Sequence, residues 1–267
     1  MNIYEYMSID ETEKPLDRMV TDGGRCAIFR TIACIGDSLS SGEFESRDRE
    51  RKSRYHDFYE YSWGQFIGRS AGCKVYNFSR GGMTAKEYVE SFAQNNGFWG
   101  TDKLCQAYIL ALGVNDVIGA KMPIGSTEDI NTEDYTKNAQ TFAGYYAQII
   151  QHIKELQPRA KIFLVSIPKV EDRDSNVLSS KHRDLLKEFT EFFDRTYLID
   201  LFTYAPVYDN EFKERYFLGA HMTAEGYLLS ARMIESYIDY IIRKNPKDFE
   251  QVGFIGTDIY FKAESFK

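Results

Sequence analysis

Apolar residues in this chain gather in short unbroken runs, separated by longer stretches in which they recur at helical spacing. The runs are Ala27 to Ile35, Cys73 to Phe78, Ala107 to Leu112, Lys161 to Ile167 and Tyr197 to Asp200. They are rich in β-branched and aromatic residues and carry no polar alternation, which predicts strands buried on both faces. Trp63, Phe66 and Ile67 mark a helix ending near Gly72, and a second is expected from about Thr84 to Phe92. Tyr135, Phe142, Tyr145, Ile149, Ile153 and Leu156 draw a stripe along a long helix that Pro158 stops. Further helices are expected from roughly Ser180 to Asp194 and from about Thr223 to Arg243, the latter ending before Pro246. Strands and helices therefore alternate. That order predicts an α/β fold: a three-layer α/β/α sandwich around a mostly parallel five-stranded sheet. With no repeat, low-complexity stretch or linker, residues 1–267 read as a single domain. Residues 1–26 form an N-terminal extension. Residues 247–267 form a tail, docked through Phe249, Phe254, Ile255, Tyr260 and Phe261.

Composition narrows the partners. The chain is 43% hydrophobic and 27% charged, the balance of a globular protein. A formal net charge of −7 disfavours nucleic acid, whose phosphates require a basic face. No apolar run is long enough to span a membrane, and the start of the chain lacks the basic and apolar regions of a signal peptide, so the cytoplasm is the expected compartment. Cys26, Cys34, Cys73 and Cys105 match no zinc spacing and read as buried free thiols.

Candidate chemistry lies where the apolar runs stop. Three strands end in Gly36-Asp37-Ser38-Leu39, Gly81-Gly82 and Gly113-Val114-Asn115-Asp116. In a parallel sheet these ends open on one edge, the edge where ligands bind. His221 stands at the start of the last helix. Ester hydrolysis requires a hydroxyl displayed on a sharp turn, a base near neutrality, and donors already aimed at the oxyanion. Ser38 supplies the hydroxyl and His221 the base. The Ser38 and Gly82 N–H groups and the Asn115 amide supply the donors.

Those residues carry a resemblance. Ile35-Gly36-Asp37-Ser38-Leu39-Ser40 resembles the first block of the SGNH (GDSL-type) hydrolases, and Asn77 to Thr84 resembles the second, with Gly82 on the oxyanion-hole glycine. Gly113-Val114-Asn115-Asp116 is similar to the third block, and Gly219 to Tyr227 to the last, which carries the histidine. The blocks occur in family order across residues 31 to 227. The resemblance implies a flavodoxin-like sandwich that hydrolyses esters or thioesters with no metal or other cofactor. It departs at one position: the family places Asp three residues before the histidine, and here Leu218 stands there. Two arrangements follow. A main-chain carbonyl of residues 216–220 orients the ring and leaves a Ser-His dyad, or Asp209, Glu211 or Glu214 swings in.

Plainer readings stand beside these. Ser38 also suits a helix N-cap, Gly82 a turn, Asn115 an Asx-turn and His221 a helix start. His152 and His182 lie among polar helical residues and read as solvated; His56 lacks a motif. The acidic run Glu43, Glu45, Asp48, Glu50 reads as a solvated loop from Ser41 to His56, one that also walls the site, with Tyr55, Tyr59, Tyr61 and Trp63 as aromatic wall. The expected partner is a small-molecule ester, with acetyl on a sugar preferred. A non-catalytic acyl-sugar-binding protein and a lysophospholipase or thioesterase are the alternatives.

Overall fold

In the computed structural model, residues 10–261 are described. The expected extension and tail therefore fall partly outside the described residues, at 1–9 and 262–267. The elements that position the site are β1 (Thr31–Gly36), the one-turn helix α1 (Ser38–Ser41), β2 (Glu43–Arg47), β3 (Ser53–Asp57), α2 (Trp63–Ala71) and β4 (Lys74–Asn77). They continue with α3 (Ala85–Glu87), β5 (Ala107–Ala111), α4 (Phe142–Leu156), β6 (Lys161–Val165), α5 (Arg173–Phe192) and β7 (Thr196–Ile199). The chain then forms α6 (Asn210–Tyr216), the short β8 (Phe217–Leu218) and β9 (His221–Met222), and α7 (Ala224–Lys244).

The central sheet runs β4-β1-β5-β6-β7, and all four pairings are parallel. The order is that of a flavodoxin-like doubly wound fold, in which the crossovers change direction between β1 and β5. Alternate residues of each strand feed opposite cores. Ala33, Ile35, Tyr108, Leu110, Ile162 and Leu164 pack with Phe142, Tyr146 and Ile150 of α4 and with Leu186 and Phe189 of α5. Ile32, Cys34, Ile109 and Phe163 face the other way, toward Trp63 and Ile67 of α2 and Tyr227, Ile234 and Ile238 of α7. This is the three-layer sandwich expected from the sequence.

Five local expectations differ. Residues 41–56 do not form a loop: β2 and β3 pair antiparallel as a hairpin, with Glu43 opposite Asp57 and Glu45 opposite Tyr55. Tyr135 lies in a separate turn, because Thr141 caps α4 by accepting the Gly144 N–H. α5 begins at Arg173, ahead of the expected start, with Asp172 accepting the Ser175 N–H. His182 is fully buried, its Nε2 3.1 Å from the Leu112 carbonyl. Burial lowers its pKa to about 4, so the ring is neutral and donates to that carbonyl. His152 is half-buried, stacked between Trp99 and Tyr135.

The His182 ring fixes the turn that carries the third block. Gly113 has φ 135, and a Cβ there would lie 2.6 Å from His182 Nε2. Gly113→Ala is expected to cost about 2 kcal/mol or more, from backbone strain and the clash together. Urea unfolding measures this, and a loss below about 0.5 kcal/mol, the range of neutral surface changes, would contradict it.

Candidate active site

The first block is shaped by two close approaches. A Cβ on Gly36 would lie 2.0 Å from Ser40 Oγ, so only glycine lets α1 fold back over the end of β1. Asp37 is extended and accepts the Leu39 N–H at 3.0 Å, which starts α1 at Ser38. Gly42, at φ 80, ends that turn and sends the chain into β2. Ser38 thus sits on a strand-to-helix turn and is half-buried.

Hydrogen bonds tie the other blocks to this one. Asn77 Nδ2 donates to the Ser40 and Ser41 carbonyls at 3.4 and 3.3 Å, and Ser79 Oγ donates to the Cys34 carbonyl at 3.1 Å. Gly82 has φ 71 and is exposed, with open space where a Cβ would point. Asn115 Nδ2 donates to the Met83 carbonyl at 3.1 Å, and the amide retains a second N–H. Asp116 Oδ1 accepts the Ala85 N–H at 2.8 Å, joining the third block to the second. Tyr227, from the last block, donates to the Glu43 carbonyl.

The site contains two buried carboxyls with displaced titrations. Burial pushes Asp37 up to about 7, opposed by the Leu39 N–H and reinforced by Asp116. Burial also pushes Asp116 up to about 6, opposed by the Ala85 N–H.

His221 occupies β9, with Leu218 opposite it in register, and its side chain is largely buried. Leu218 is 46% exposed, and no acid occupies the usual place. The substitutes expected from the sequence do not replace it. Asp209 caps α6 by accepting the Phe212 N–H at 2.9 Å, and Glu211 and Glu214 are exposed. No main-chain carbonyl holds the ring either, since Nδ1 is buried without a hydrogen-bond partner.

Two carboxylates flank the imidazole instead. Glu43 Oε1 lies 3.0 Å from Nε2, and Glu45 Oε2 lies 3.9 Å from Nδ1. They alternate along β2 and so face the same way, while Phe44 between them packs on Phe58, Tyr61 and Tyr227. Glu45 accepts the Ala220 N–H at 2.9 Å and the Ser53 hydroxyl at 2.7 Å, and these bonds hold its pKa below the usual carboxylate range. Glu43 reaches toward the second block: a Cβ on Gly81 would meet its Oε2 at 2.0 Å. Burial raises its pKa, an effect that His221 opposes. The Tyr55 ring stands edge-on to His221 at 5.4 Å. The sequence offered these acids only as a solvated loop and wall.

The profile of the GDSL-like lipase/acylhydrolase family matches residues 34–229, from the end of β1 into α7. The chain belongs to that family. It is a carboxylic-ester hydrolase of the GDSL type, on the α/β fold of SGNH hydrolases. No curated protein matches it. Several solved structures are similar in fold. A Lactobacillus plantarum protein is 15% identical with a TM-score of 0.60, the match covering 79% of this chain and 97% of that one. A family two carbohydrate esterase from Clostridium thermocellum, in complex with cellohexaose, is 16% identical with a TM-score of 0.55, over 82% and 65% of the two chains. A carbohydrate acetylesterase from Sinorhizobium meliloti is 15% identical with a TM-score of 0.52, over 79% and 99%. Among the described residues, no helix of this GDSL hydrolase is long and apolar enough to cross a membrane.

Proposed function

We propose that this GDSL hydrolase removes short acyl groups, acetyl above all, from a carbohydrate or similar polyol through an acyl-enzyme on Ser38. The convergence of four blocks on one sheet edge, cross-tied by Asn77, Asp116 and Tyr227, carries this reading. Ser38 Oγ attacks the ester carbonyl as His221 takes its proton. The Ser38 and Gly82 N–H groups and the second Asn115 N–H stabilise the oxyanion. His221 then protonates the departing alcohol, and water, activated by the same ring, clears the acyl group.

Size and surface support the substrate class. An apolar cavity of about 80 Å³ is lined by Leu39, Val114 and Met222, the sequence neighbours of Ser38, Asn115 and His221, together with Trp63 and Ile167. A water needs roughly 10–15 Å³ on this measure, so the cavity offers the space of several waters, a size that suits a short acyl group. Tyr55, Phe58, Tyr59 and Tyr61 are exposed on and after the β2–β3 hairpin, offering flat faces and hydroxyls to a sugar ring. The carbohydrate esterases among the fold neighbours agree with this preference.

The test is labelling by a fluorophosphonate, with the modified residue located by mass spectrometry. Stoichiometric modification of Ser38, blocked by an acetylated oligosaccharide, is expected. An unlabelled Ser38 in folded protein would leave an acyl-sugar-binding protein on the same fold.

A further inference from the structure

We propose that Glu45 is the acid partner of His221, filling from a β-hairpin the role vacant at Leu218, and that Glu43 caps the ring's other nitrogen in the resting site. The inference rests on the serine-hydrolase reading above and gives distinct roles to two residues that the sequence offered only as part of an acidic loop and wall.

A histidine that serves as base needs a bare nitrogen toward the nucleophile and a hydrogen on the other nitrogen, held by an acceptor. Nδ1 of His221 is the inward nitrogen, buried and without a hydrogen bond. The Glu45 carboxylate lies 3.9 Å from that nitrogen. Closing to a normal hydrogen bond takes about 1 Å of ring tilt, and resting active sites commonly hold such pairs loosely.

Glu45 is built to stay in place. It bonds the main chain at Ala220, one residue before the histidine, and the Ser53 hydroxyl across the hairpin. A Cβ on Gly219 would meet its Oε2 at 2.2 Å, so the glycine makes room for the carboxylate inside the histidine loop. The same bonds keep Glu45 ionised, as an acid that stabilises an imidazolium must be.

Glu43 differs on each point. It engages Nε2, the nitrogen left to face Ser38 once Nδ1 belongs to Glu45, and its other oxygen rests against Gly81 of the second block. While that contact lasts, Nε2 cannot take the Ser38 proton. Glu43 therefore has to leave the ring before turnover.

The two glutamates should respond to mutation in opposite directions. Glu45→Gln is expected to lower kcat on p-nitrophenyl acetate by about 10²-fold or more, with KM changed less than about threefold. It should also abolish the far-downfield imidazole N–H resonance in proton NMR. Glu43→Ala is expected to raise kcat/KM and to keep that resonance. Leu218→Asp added to Glu45→Gln should recover about tenfold or more in kcat, because Leu218 stands opposite His221; a purely structural defect would not be repaired this way. The inference is overturned if Glu45→Gln retains native kcat, if Glu43→Ala causes the larger loss, or if the Asp at 218 restores nothing in a folded double variant. Fluorophosphonate labelling of the native protein separates the two levels. With Ser38 labelled and Glu45→Gln fully active, only the acid assignment falls. With Ser38 unlabelled, the serine mechanism falls and the assignment with it.

Discussion

Ser38→Ala is expected to lower kcat/KM for p-nitrophenyl acetate by about 10³-fold or more, and His221→Ala by a similar factor. The double variant should lose no more than either single one. A nucleophile and its base act as a unit, so once one is gone the other has nothing to do. What remains comes from donors that polarise the carbonyl for water. Asn115→Ala should therefore cost about 10² to 10³ on its own, the usual worth of one side-chain donor in an oxyanion hole. Steady-state kinetics on the acetate, butyrate and octanoate esters provides the measurement. The small cavity predicts that octanoate is the poorest substrate in the native enzyme. If Ser38→Ala kept a tenth of native activity, the hydrolysis would belong to another nucleophile. If the two single losses multiplied in the double variant, Ser38 and His221 would not be partners.

Much of this site is legible in the sequence because its signals are local. Three of the buried strands, β1, β4 and β5, stop at or shortly before a glycine, and the residue types that follow are those of a turn facing solvent. Ser38, Gly82 and Asn115 therefore come from short stretches whose conformation their own glycines enforce, as Gly36 does at the turn before Ser38. The sheet topology then places those stretches together, since a parallel sheet puts all its carboxyl ends on one edge.

The surroundings of His221 are less legible, because they depend on a contact between segments far apart in the chain. Glu43 and Glu45 precede the histidine by well over a hundred residues, and their charge reads as solvated surface. The period-two pattern was present, with Glu43, Glu45 and Arg47 on one face of β2 and Phe44 on the other. Arg51, at φ 64, helps turn the strand back into β3. What hid the hairpin is that the face toward His221 is polar, so no hydrophobic alternation marks it. His182 misled for the same reason in reverse. Lys181 and Arg183 flank it, yet Ser179, His182, Leu185, Leu186 and Phe189 form the buried stripe of α5, and helical spacing outweighs the character of adjacent residues.

Asp37→Asn is expected to stabilise the protein at pH 8 by up to about 4 kcal/mol, and to leave stability unchanged at pH 4. Asp37 is 4% exposed, and burial, with Asp116 adding to it, lifts its folded pKa to about 7. The unfolded value is about 3.9. A carboxyl whose folded pKa exceeds its unfolded one favours the native state only while protonated. The native state thus carries no penalty below about pH 4 and the full penalty above about pH 7, at about 1.4 kcal/mol for each unit of displacement. Asn keeps the oxygen that accepts the Leu39 N–H and removes the charge. Urea unfolding of both proteins at the two pH values measures the difference. An equal difference at both would place the effect in packing and not in the charge. The gain in stability should come with a loss of activity, because Asp37 caps the turn that carries Ser38, the proposed nucleophile. Natural active sites commonly retain such a strain where the fold would be more stable without it. A variant both more stable and fully active would show that the buried charge at position 37 has no part in the chemistry.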